Sequence, residues 1–97
     1  MPETPTGSTS RVLLVSGGDL TADHALARGL RDAGAEVVLL PDAPDAAIVA
    51  AATQEAVDAV RCPSGRVASV AAAIRRAGLD ATVSASATVT EAGRQAP

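Results

Sequence analysis

Residues 11–40, RVLLVSGGDLTADHALARGLRDAGAEVVLL, constrain the fold of this chain more than any other stretch. Val12–Val15 is an unbroken apolar run, the pattern of a strand covered on both faces within a parallel sheet. Ser16-Gly17-Gly18-Asp19 breaks the run. From Leu20 to Ala33 the apolar residues Ala22, Leu26, Leu30 and Ala33 recur at helical spacing and define the expected inward face. Asp19 or Thr21 is placed to cap the start of that helix, and Gly34 to end it. Glu36–Leu40 is a second strand, stopped by Pro41-Asp42-Ala43-Pro44. The succession is one βαβ unit. It aligns two strands in parallel, which a tight hairpin cannot do.

The rest of the chain repeats the unit. Asp45 is placed as the N-cap of a helix running to Glu55, with Ile48, Ala51, Ala52 and Glu55 at three- and four-residue steps. Val57–Cys62 reads as a third strand, Pro63-Ser64-Gly65 as a turn, and Arg66–Ala77 as a third helix. That helix turns Val67, Val70, Ala71 and Ile74 inward and ends at Gly78. Its exit, IRRAGLD, echoes LRDAGAE at the end of the first helix, so the same helix stop is used twice. Thr82–Thr90 alternates strictly, with Val83, Ala85, Ala87 and Val89 on one face and hydroxyl side chains on the other, the mark of a half-exposed edge strand. The expected fold is α/β and flavodoxin-like (Rossmann-like). It has three layers, with four parallel strands in the order 2-1-3-4 and helices on both faces. Residues 11–90 form the domain. Residues 1–10, rich in Pro, Ser and Thr, and residues 91–97 are expected as flexible tails.

Composition narrows the function classes. The chain has no Phe, Tyr or Trp although 47% of its residues are hydrophobic, so its core rests on Ala, Val, Leu and Ile. A net charge of −3, with eight scattered arginines and no lysine, argues against binding a phosphate backbone. No apolar run reaches the roughly 18 residues of a membrane span. The acidic, Pro-rich start is unlike a signal peptide. A single Cys62 fits a reducing compartment, so the expectation is a cytoplasmic protein with no membrane or nucleic-acid partner.

In an open α/β sheet a ligand sits beyond the carboxyl ends of the strands, where the strand order reverses. For the order 2-1-3-4 that point lies between strands one and three. The candidate contacts are therefore Ser16, Gly17, Gly18, Asp19 and Thr21 in the first turn and Ser64 and Gly65 in the third. Backbone N–H groups at the two helix starts could hold an anion there, although small residues in such turns also serve geometry alone. Ser64-Gly65 reads as a helix cap before it reads as a ligand contact. His24, the sole histidine, has only the adjacent Asp23 near it, which points elsewhere on the helix, so it reads as a helix residue and not a metal ligand. Cys62 has no base beside it and reads as a buried thiol. No catalytic or metal-ligating set follows from the residues.

Two segments carry a family resemblance. They are ARGLRDAGAEVV at 27–38 and DAAIVAAATQEAVDAV at 45–60. Their succession resembles the cobalamin (vitamin B12)-binding domain of methylmalonyl-CoA mutases and related corrinoid proteins, over about residues 11–80. The resemblance implies a flavodoxin-like fold, cobalamin as cofactor, and a role beside a mutase (isomerase) catalytic subunit. In the family an Asp-x-His-x-x-Gly motif supplies the histidine that ligates cobalt. Here those three positions fall on Gly17, Asp19 and Ala22, and the Ser-x-Leu element after strand three is reduced to Cys62-Pro63-Ser64-Gly65. A carboxylate is a poor replacement for imidazole on cobalt, so the resemblance implies a small accessory or degenerate subunit. Two other readings remain. One is a non-catalytic interaction module that pairs or homodimerises through its fourth strand. The other is the nucleotide-binding half of a short-chain dehydrogenase, whose glycines would be expected where Thr21 and Asp23 stand and whose catalytic Tyr is absent.

Overall fold

The computed structural model describes residues 10–86. Strands β1 (Arg11–Val15), β2 (Glu36–Leu40), β3 (Ala59–Cys62) and β4 (Thr82–Ala85) alternate with helices α1 (Leu20–Asp32), α2 (Asp45–Glu55) and α3 (Val67–Arg76). All strand pairs are parallel and the order is β2-β1-β3-β4, as the sequence implies. The fold is α/β of the flavodoxin-like kind. The expected tails, apart from Ser10, and residues 87–90 of the expected fourth strand lie outside the described residues.

Register assigns the two faces of the sheet. Leu13 stands opposite Val38 and Val60, and Val15 opposite Leu40. With Cys62 they meet Ile48 and Ala52 of α2 and Val70 and Ile74 of α3 in one buried cluster. Val12 and Leu14 point the other way, as alternation requires. They are buried together with Ala27 of α1 outside that cluster. The centre of β1 is thus covered on both faces, which explains its continuous apolar run. In β4, exposed Thr82 and Ser84 alternate with half-buried Val83 and Ala85, as expected for an edge strand.

Several boundaries and faces differ from expectation. The buried face of α1 carries Asp23 and Ala27 with half-buried Leu26 and Leu30, whereas Ala22 and Ala33 are exposed. A short alanine satisfies the helical period without having to be inside, so the longer leucines set the face. β3 begins at Ala59 and not Val57. Val57 N–H donates to Ala52 C=O and closes α2, and the Asp58 carboxylate accepts from Arg11 N–H at 2.9 Å. Asp45 is not the N-cap of α2. Pro44 holds that place, and Asp45 sits in the first turn. α3 begins at Val67, because Ser64–Arg66 forms a 3₁₀ turn closed by Arg66 N–H on Pro63 C=O. The repeated helix stop is real. Gly34 at φ 103° and Gly78 at φ 77° take left-handed conformations that only glycine adopts without penalty. The following Ala35 and Leu79 amides donate back to Leu30 and Ile74, as in a Schellman motif.

Candidate functional site

β1 and β3 lie side by side, so the turns that follow them share the carboxyl end of the sheet. The first turn is built around a buried polar pair. The Ser16 hydroxyl donates to an Asp23 carboxylate oxygen at 2.6 Å and accepts from Gly18 N–H at 3.1 Å. Asp23 is 7% exposed and Ser16 is 9% exposed. Gly18 takes a φ of 102°. Asp19 caps α1 as expected, its side chain accepting from Ala22 N–H at 3.1 Å. Thr21 is exposed in the first turn of the helix.

The second turn closes on the first. A methyl group placed on Gly17 would stand 3.1 Å from Cγ of Pro63, so the proline ring lies against Gly17 at a distance that favours glycine. Ser64 and Gly65 are exposed on the 3₁₀ turn. Neither the turn nor α3 is capped by a side chain, contrary to the capping role expected of Ser64.

The sequence places Asp23 on a different face of the helix from His24 but does not show that it pairs with Ser16. Asp23 falls on the same stripe as Ala27 and Leu30, four and seven residues on. An acidic residue in register with a buried stripe was the available signal. Its carboxylate and that of Asp19 both occupy the first turn of α1, where the helix dipole is positive. They satisfy that end from within the chain and oppose a phosphate there.

Arg66 was also missed. Its Nη1 donates to the Asp42 carboxylate at 3.0 Å and to the Ala43 carbonyl at 2.6 Å, and its Nη2 to Asp45 at 2.5 Å. The ion pair holds the Asp45 carboxyl below the ordinary carboxylate range, chiefly through the Arg66 hydrogen bond and then one from Ser69. Hydrogen bonding to Asp45 likewise raises the Arg66 guanidinium. No sequence spacing announces this cluster, because Arg66 lies more than twenty residues from its partners. Arg66 also walls a shallow depression of about 410 Å³ with Asp42, Ala43 and Pro44.

The site residues do not fit a corrinoid held through an axial imidazole. His24 is exposed and lines an open trough of about 520 Å³ with Thr21, Ala25, Arg28, Gly29 and Asp32 of the same helix, away from the turn at Ser16. Asp19 is engaged as a helix cap. Cys62 is fully buried, and burial pushes its thiol pKa up. Among the described residues no group of three or more His, Cys, Asp or Glu is placed to hold a metal ion, and no helix is long and apolar enough to cross a membrane. No family model, curated protein or solved structure matches this chain.

Proposed function

We propose that this chain is a non-catalytic module of the cobalamin-binding-domain type that lacks the axial histidine. In this reading it is a cytoplasmic accessory subunit that works beside a larger catalytic partner such as a mutase. The observation that carries the reading is the carboxyl end of β1 and β3. It has the flavodoxin-like placement of a ligand site, yet the Ser16 hydroxyl is tied to Asp23, the Cys62 thiol is buried, and the Thr21 and Ser64 hydroxyls are exposed. A nucleophile needs a base within hydrogen-bond reach. Ser16 and the carboxylate it meets, Asp23, are both buried, Cys62 is buried, and the sole histidine is exposed on α1. Support for the kinship comes from residues 27–38 and 45–60, which form α1–β2 and α2–β3 in the order that the resemblance implies.

The dehydrogenase-like reading is less well supported, because the Asp19 and Asp23 carboxylates stand where a pyrophosphate would approach. Titration with hydroxocobalamin tests the proposal. The visible spectrum is expected to keep the form of the free cofactor, with any association detected by calorimetry. A shift to the histidine-ligated spectrum would overturn it. Enhanced fluorescence of a reduced nicotinamide cofactor on mixing would favour the dehydrogenase-like alternative.

A further inference from the structure

We propose that Pro63–Arg66 is a strap that ties together the connections at the carboxyl end of the sheet and opens locally at its Arg66 end without unfolding of the sheet. Two contacts at opposite ends of this short segment carry the inference. Pro63 packs on the bare backbone of Gly17 in the β1–α1 turn. Arg66 reaches the other way and grips the β2–α2 connection through Asp42, Ala43 C=O and Asp45. The segment between them is itself closed by Arg66 N–H on Pro63 C=O at 2.8 Å. One four-residue piece of the β3–α3 connection thus touches both the β1–α1 and the β2–α2 connections.

The two ends differ in kind. The Pro63 contact is apolar and non-directional. The Arg66 contact is charge-assisted and has two partners that solvent can reach, since the Asp42 side chain is 74% exposed and that of Asp45 is 34% exposed. The Arg66 end is therefore the releasable one. Its side chain is 26% exposed, so water can take over the guanidinium without the hydrophobic cluster opening.

Amide hydrogen exchange on the full chain gives that test. The Arg66 amide, bonded to Pro63, and the Ala47 amide, bonded to Pro44, report the strap and the α2 start it grips. The Ser16 amide, bonded to Leu40 C=O at 2.8 Å, reports the sheet. In Arg66→Gln the first two are expected to exchange about tenfold faster while Ser16 is unchanged, the scale of losing a charge-assisted hydrogen bond. Asp42→Asn alters only an exposed partner. It should give a smaller change in the same direction and covers the case of an Arg66→Gln protein that does not fold. Unchanged exchange at Arg66 and Ala47 would overturn the strap. So would a rise that always accompanies an equal rise at Ser16, which marks global unfolding and leaves the cobalamin-type proposal untouched.

Discussion

Ser16 and Asp23 are the two polar side chains that the fold buries at the end of β1, and each depends on the other. A buried carboxylate without a donor carries its full desolvation penalty, so the hydroxyl matters more than its size suggests. Ser16→Ala should destabilise the protein by about 1–3 kcal/mol, measured by urea unfolding. A change below a few tenths of a kcal/mol would show that Asp23 finds its donor elsewhere. Gly17 has the complementary constraint, since the room for its side chain is taken by Pro63. The sequence marked Ser16–Thr21 as a turn through its glycines and cap residues. It could not show that Asp23 folds back onto Ser16, because that contact forms only when the first turn of α1 is laid over the end of β1.

At the scale of elements, the three helices stop in the same way but not with the same residue. α1 and α3 end through Gly34 and Gly78, whereas α2 ends through Ala56, which is held at φ 53° and ψ 51°. A left-handed conformation penalises any residue with a Cβ, by roughly 1–2 kcal/mol, and glycine returns part of that gain as unfolded-chain entropy. Ala56→Gly should therefore raise stability by about 0.5–1 kcal/mol, visible as a higher thermal midpoint. A lower midpoint would mean that the Ala56 side chain packs well enough to outweigh the strain. The boundaries of α2 matched the sequence pattern because Pro44 and the run of small apolar residues define them locally. Those of β3 and α3 did not, since Asp58 is drawn to the distant Arg11 and Ser64–Arg66 closes as a 3₁₀ turn through Arg66 N–H on Pro63 C=O.

At the scale of the whole molecule, the carboxyl end depends on charge and the interior does not. Asp45 has a folded pKa below its unfolded value because of Arg66. Its contribution to stability is present above the unfolded carboxylate pKa near 3.8 and is lost as pH falls through the lower folded value. Wild-type protein should lose stability on acidification from about pH 5 downward, and Asp45→Asn should flatten that decline. The check is a series of thermal melts between pH 7 and pH 3, and identical slopes in the two proteins would exclude the pair as the cause. The interior, built of aliphatic residues around β1, contributes no such dependence.

The strand order follows from sequence alone. The unbroken apolar run of β1 marks a strand covered on both faces, the alternation of β4 marks an edge, and right-handed crossovers leave few arrangements for four such strands. β2, apolar over Val37–Leu40, lies at the other edge and is only partly buried. The helix stops follow as well, because a glycine in the left-handed region is a local necessity. The tertiary structure decided which face of α1 is buried, where β3 begins, and that Asp23, Pro63 and Arg66 gather at the carboxyl end. Those outcomes rest on contacts between segments far apart in the chain. Their energies exist only once the sheet has brought the segments together, and no local pattern of residues encodes them.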